Sequence, residues 1–426
     1  MAKPIRALPV IQNWDCHACG NCCTDYVVPL SEEERARLTA QGWDKEPGFE
    51  NVPIFVRHSP WWQFWRKRYR LNQRAGDRCV FLDDKGLCRI HAKFGYDAKP
   101  FACRLYPYIL VPMDDHWRVS LRYACPSAAA NKGRPLEVQT DDLKKYAQEM
   151  ETWDETPAES TARPRPEPLL QAGQCVGWKE LDRFIEALIA RMEDRRDPIP
   201  RRWLRMVGLA RTCQEAKFDK LAGSRLREFL DLVATATDVE TPRDLAQVEP
   251  PGWIGRVLFR TTLAVYLRKD SGLRQGVAGR GRLALVAAMA RMARGVGRIP
   301  ELQKGLPDMT FAEFEHPLGP LTEAGEEALR RYYVVKLRSG QFFGPPHYHF
   351  SFWEGVAALA LTLPAILWLA RGYQALGATE AIHKAITVID ENFGYNPLLG
   401  QIRQRLSLRI LLARGELDRL IAWYGR

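Results

Sequence analysis

The residues that most constrain this chain are Cys16, Cys19, Cys22 and Cys23, spaced Cys-x-x-Cys-x-x-Cys-Cys. Three-residue steps on a tight loop return side chains to the same side, so Cys16, Cys19 and Cys22 point toward one centre. Gly20 lets the backbone bend where a residue with a Cβ would resist. Such spacing builds most of a metal or iron–sulfur coordination shell locally and takes the rest from elsewhere in the chain. The fold must therefore bring remote thiols to this loop.

Eight of the ten cysteines lie between residues 16 and 125. The segment from Cys79 to His91 reads as a β-hairpin, with two apolar runs flanking Asp83-Asp84-Lys85-Gly86. Pairing centred on Asp84 and Lys85 would make Cys79 and Cys88 diagonal neighbours, on the order of 7–8 Å apart. Cys103 stands between Pro100 and Pro107, and a strand from Trp117 to Tyr123 ends in Cys125-Pro126. Cys175 and Cys213 stand alone and read as ordinary thiols. Eight thiolates can fill two four-ligand shells, or one shell with thiols to spare. Zinc would make closed structural sites. A four-iron four-sulfur cluster would use three local thiols and one remote one. His17 and His91 are possible substitute ligands, read as supporting or exposed groups rather than ligands.

Composition narrows the setting. The chain has 426 residues, 46% of them hydrophobic, enough for a large core. The net charge of +11 is spread along the chain and reads as a solvated face, with no clear nucleic-acid signal. Residues 1–10 lack the apolar stretch of a secretory signal. The longest apolar run, from Val356 to Ala370, falls short of the roughly 18 residues a bilayer span needs, and Pro364 interrupts it. It reads as a buried helix with no transmembrane role. A cytoplasmic, reducing compartment follows, where clustered thiols bind metals rather than form disulfides.

The remaining chain punctuates itself. Ser31 and Glu34 form a capping box before a short helix ending near residue 40. Residues 60–71 interleave aromatic and basic side chains and read as a cover for the metal site, or else as a docking surface. Residues 155–168 are rich in Pro, Glu, Ser and Thr and read as a linker, after a possible short helix near 143–150. Everything beyond is helical. Leu181, Phe184, Ile185, Leu188, Ile189 and Met192 form one helical stripe, Pro200 starts the next helix, and Ser224 caps another. Further helices are expected over 253–268, 281–294, 322–338, 352–372, 378–392 and 397–424. Gly276 to Arg282 superficially suggests a phosphate loop, but no apolar strand precedes it, and it reads as a basic connection. His347, His349 and Glu354 could form a base set or a metal pair; an aromatic interhelical loop is the better reading. The expected architecture is mainly α: a small, irregular cysteine-rich α+β domain over residues 1–135, a linker over 136–174 and an irregular all-helical domain over 175–426.

The pattern Cys16-x-x-Cys19-Gly20-x-Cys22-Cys23, then Cys79, Cys88, Lys99-Pro100-x-x-Cys103-Arg104-x-Tyr106-Pro107 and Cys125, resembles the zinc- or iron-chelating cysteine-cluster family of the YkgJ type. That family includes flagellin lysine N-methylases of the FliB type. It usually shows Arg-Pro where this chain has Lys99-Pro100. The stretch from Leu329 to Lys336, with the Phe-Phe-Gly and long apolar helix after it, is similar in layout to the methylase C-terminal region. The resemblance implies an iron–sulfur cluster and methyl transfer from S-adenosylmethionine to lysines of a protein partner. Small family members carry the cysteine domain alone, so that domain by itself implies metal binding only.

Overall fold

The computed structural model describes residues 3–6, 8–24, 26–58, 68–153, 165–218, 221–269, 282–303 and 305–426. Three stretches singled out above, residues 60–67, 154–164 and 276–281, lie outside the described residues.

The N-terminal part is built from short pieces. Strands β1 (Pro29–Leu30) and β2 (Phe55–Arg57) flank β3 (Tyr69–Leu71) in an antiparallel sheet. Helix α1 (Glu32–Ala40) starts at the expected box: Ser31 Oγ accepts the Glu34 amide at 3.1 Å and Glu34 Oε2 accepts the Ser31 amide at 2.9 Å. A two-stranded ribbon of β4 (Gln73–Arg74) and β5 (Arg78–Cys79) follows, then helices α2 (Arg89–Phe94) and α3 (Phe101–Leu105). These elements enclose a small aromatic core around Trp43, Phe49 and Phe81, whose rings meet at 5.0–5.6 Å.

The hairpin of β6 (Tyr108–Pro112) and β7 (Trp117–Leu121) belongs to a second, larger core. All five β7 residues are buried, including Arg118 and Ser120. Both polar side chains find partners on the helical part: Arg118 pairs with Asp182, and Ser120 Oγ donates to Gln341 Oε1 at 2.8 Å. Helices α4 (Pro126–Ala129) and α5 (Thr140–Thr152) then lead to a two-stranded ribbon, β8 (Leu169–Gln171) and β9 (Gln174–Cys175).

The rest is helical: α6 (Trp178–Met192), α7 (Ile199–Glu215), α8 (Gly223–Glu240), α9 (Trp253–Leu267), α10 (Arg282–Arg294), α11 (Phe311–Phe314), α12 (Glu323–Ser339), α13 (Phe352–Gly372), α14 (Ala378–Asn392), α15 (Ile402–Ala413) and α16 (Glu416–Tyr424). The chain is therefore mainly α with small sheets near its N-terminus. The α6 stripe is buried at all six expected positions, each contributing roughly 1.5–3 kcal/mol. Helix α13 is the hub. It runs through Pro364 for 21 residues and packs against α7, α11, α14, α15 and α16. By length and composition it could cross a membrane, yet 94% of its apolar window is buried inside the protein. The apolar run is thus longer than its uninterrupted stretch suggests, because surrounding helices hold the backbone in place around the proline.

Other expectations need correction. The segment after Cys79 is not a regular hairpin. Asp83 Oδ1 accepts the amides of Lys85 and Leu87, closing a tight turn that leaves one bridge, Leu82 to Cys88, before α2 begins. Ser224 does not cap α8; the cap position is Ala222, whose side chain has no oxygen to donate to this role. The span 397–424 breaks at Gly415, in a left-handed conformation with φ 66°, into α15 and α16.

His347 and His349 do not form a pair. His347 is buried between Phe393 and Phe350, with ring centroids at 4.5 and 5.1 Å, whereas His349 is exposed. Glu354 is engaged by Arg405 at 2.6 Å and Arg409 at 2.7 Å and completes a capping box with Ser351. The loop is the aromatic connection expected. Burial, reinforced by the charge of Lys336, pushes the His347 imidazole down to about 3. The folded state therefore binds fewer protons than the unfolded one between pH about 6.5 and about 3. Stability falls as pH drops through that window, with a slope of up to about 1.4 kcal/mol per pH unit from this residue. Urea unfolding of the His347→Leu variant at several pH values should show that part of the slope removed.

One buried ion pair ties the end of β7 and the segment after it to helices α12 and α14 of the large core. Lys336 and Asp390 are both fully buried, and Lys336 Nζ lies 2.6 Å from Asp390 Oδ1. Asp390 Oδ2 accepts the amides of Tyr123 at 2.5 Å and Ala124 at 3.2 Å, while Lys336 donates to the Leu121 carbonyl at 3.0 Å. Asp390→Ala strands the lysine charge and two amides, and should cost about 3–5 kcal/mol in urea unfolding. Combining Asp390→Asn with Lys336→Met should recover part of that loss, because no buried charge is left alone.

Candidate metal centre

The Cys16–Cys23 loop is held at its entrance. Asp15 forms a bidentate pair with Arg134, at 2.8 Å for the shortest contact, and its amide donates to the Lys132 carbonyl. Gly133 sits at φ 110°, and a Cβ there would come within 2.2 Å of the Asp15 amide nitrogen. Only glycine allows the two backbones to meet so closely. Within the loop, Ala18 and Gly20 take positive φ and Asn21–Cys23 forms one 3-10 turn. Asn21 Nδ2 donates to the Ala124 carbonyl at 3.2 Å, which ties the loop to the segment carrying Cys125.

Each remote thiol arrives on its own support. Cys79 ends β5, and the neighbouring bridge of Thr24 to Arg78 joins that strand to the end of the cysteine loop. Cys88 and Cys125 occupy the N-cap positions of α2 and α4, so the first-turn amides of those helices face their sulfurs. Cys103 lies inside α3, whose first residue, Phe101, donates its amide to Glu34 Oε1 at 2.5 Å. The buried Glu34 carboxylate thus starts α1 with one oxygen and α3 with the other.

All eight cysteines face two adjoining cavities of 340 and 200 Å³. Cys16 and Cys19 are exposed at the mouth of the larger one, and His17 and His91 also line it. Among the described residues, no group of three or more His, Cys, Asp or Glu side chains stands close enough together to hold a metal ion as placed. All ten cysteines are free thiols, with Cys175 exposed and Cys213 buried in the large core, both away from these cavities.

Charge is the central problem of the site. Burial raises the Cys103 thiol well above its ordinary value and pushes Cys79 up to about 12. Burial also raises Cys88 and Cys125, although helix amides partly offset this. Cys22 donates to the Cys23 sulfur, so the proton stays on Cys22 and Cys23 is held below the ordinary thiol range. Burial pulls Lys99 down, but the sulfurs of Cys103, Cys88, Cys16 and Cys22 outweigh it and raise the ammonium. One ammonium cannot offset eight thiolates. A bound zinc or iron centre would supply the missing positive charge, and thiolate is the ligand both prefer. The donor set therefore fits such a centre.

The sequence pattern did not reveal Lys99 as the ammonium among the sulfurs, nor Asp390 as the anchor of the Cys125 segment. Lys99 carried only a motif position, and Asp390 lies 265 residues beyond Cys125 on an ordinary amphipathic helix.

Residues 15–126 match the family model CxxCxxCC, described as "Putative zinc- or iron-chelating domain". No curated protein and no solved structure matches the chain. The matched segment runs from the residue that anchors the cysteine loop to the proline after the last clustered cysteine. Residues 15–126 of this chain are thus similar to the CxxCxxCC family of putative zinc- or iron-chelating domains.

Proposed function

We propose that residues 15–126 hold an iron–sulfur cluster, and that the open cavity beside it binds S-adenosylmethionine and delivers its methyl group to a lysine of a protein segment. The observation that carries the metal half is the crowding of eight thiols around two cavities with Lys99 as the ammonium among them. Cys16, Cys19 and Cys22 with Cys125 would hold a four-iron cluster, and Cys23, Cys79, Cys88 and Cys103 are the other candidate ligands. When bound, the cluster supplies positive charge and a redox-capable face to the cavity.

Two observations support a reactive rather than a purely structural site. Cys16 and Cys19 stand exposed at a cavity mouth, so a centre held there can be reached from solvent. Trp14, Leu87, Ala92, Tyr96 and Tyr106 give that cavity the apolar wall that a nucleoside-bearing ligand requires. The resemblance to flagellin methylases supplies the reaction class. The lone pair of a neutral lysine nitrogen forms the new bond to the methyl carbon. The carbon–sulfur bond breaks with its electrons returning to sulfur, S-adenosylhomocysteine leaves, and the nitrogen releases a proton to solvent. In this reading residues 175–426 form the wall against which the protein segment lies, and the reducing cytoplasm keeps the cysteines out of disulfide bonds.

Anaerobic purification with metal analysis and a visible spectrum tests the first half. A brown protein with thiolate-to-iron absorption, lost in Cys19→Ser, is expected; a colourless protein with stoichiometric zinc would overturn the cluster. Labelled S-adenosylmethionine offered with lysate proteins tests the second half. Label should appear on lysine. Metal-loaded protein that labels nothing would reduce the function to a non-catalytic chelating module, structural, redox-sensing or metal-handling.

A further inference from the structure

The eight sulfurs do not surround one space. Cys16, Cys19 and Cys125 line the larger cavity and not the smaller, while Cys79 lines the smaller and not the larger. Cys22, Cys23, Cys88 and Cys103 line both and form the wall between them.

Connectivity divides that wall. Cys22 is the middle residue of the 3-10 turn, three residues after Cys19, and belongs with the local run. Cys23 leads directly into the bridge of Thr24 with Arg78, which sets it beside Cys79 across the strand pair. The packing agrees. Cys79, Cys88 and Cys103 lie against the small aromatic core, whereas Cys125 is part of the large one. The small core thus delivers three remote thiols and the large core one, and the 16–23 loop supplies the other four.

We propose that the domain holds two four-cysteine metal centres, an outer one on Cys16, Cys19, Cys22 and Cys125 and an inner one on Cys23, Cys79, Cys88 and Cys103. The proposal rests on the metal-binding reading above and adds the number of centres and their ligands. Four thiolates complete either a zinc site or an iron–sulfur cluster, so eight make two complements and leave no sulfur idle. The two centres differ in access. The outer one has two exposed ligands, while the inner one is walled by Tyr26, Phe81 and Arg122 and has no exposed thiol. The outer centre meets ligands and chelators; the inner one holds strands and helices of the small core in place.

The test uses the full chain purified anaerobically, with zinc, iron and acid-labile sulfide counted per chain. Wild type should carry two centres, and Cys19→Ser and Cys125→Ser should each lose the outer centre's metal and keep the inner centre's. Cys79→Ser and Cys103→Ser can unfold the small core, so a second measurement needs no variant. A chromogenic chelator added to the wild-type protein should remove half of the metal quickly and half slowly. A single centre per chain, single-phase release, or complete metal loss in a Cys19→Ser protein with an intact circular dichroism spectrum would overturn the two-centre proposal while leaving metal binding in place. Protein that carries no metal in any preparation would overturn the chelating reading itself.

Discussion

Among the described residues, eight sulfurs share one small region with the Lys99 ammonium and, on the side of the smaller cavity, Arg122, and burial makes each added negative charge there costly. That constraint explains the construction of the N-terminal part. No single element could carry so many thiols, so they come from five separate segments: the 16–23 loop, the end of β5, the caps of α2 and α4, and the middle of α3. Between them lie only short strands and short helices. Regular structure that small has little cohesion of its own, and bound cations would do for it what disulfides do in secreted domains.

The supports of the site are polar and long-range. Glu34 starts two helices with one carboxylate, Arg134 and Gly133 clamp the loop through Asp15, and Asp390 holds the backbone two residues before Cys125. The last of these matters most for the molecule as a whole. Asp390 sits on α14 and Lys336 on α12, so the Cys125 segment is positioned by the helical core rather than by its own neighbours. Geometry at the outer thiols is therefore coupled to the packing of α12, α13 and α14.

Much of this was legible in the sequence wherever the signal was local. The capping box at Ser31, the six-residue stripe of α6 and the apolar hub α13 all follow from short-range spacing. The cysteine run pointed to the cysteine-cluster family whose model matches residues 15–126. What failed was also local in origin but decided by contacts at a distance. The Asp83 side chain could cap a turn or sit within a hairpin, and in the fold it accepts the Lys85 and Leu87 amides and closes the turn. The helix expected over 352–372 does form, and a fully packed surround carries it through Pro364. Gly415 splits a span whose apolar pattern is continuous. The Lys336–Asp390 pair left no trace at all, because nothing in either helix marks a charge as buried until the fold brings the partners together.

The central claim is that these separated sulfurs converge on bound metal ions. X-ray absorption at the metal edge of the anaerobically purified protein tests it most directly. The account predicts a first shell made of sulfur, with distances of about 2.3 Å in the case of zinc. A shell dominated by oxygen and nitrogen, or cysteines found joined in pairs by disulfide bonds, would contradict it.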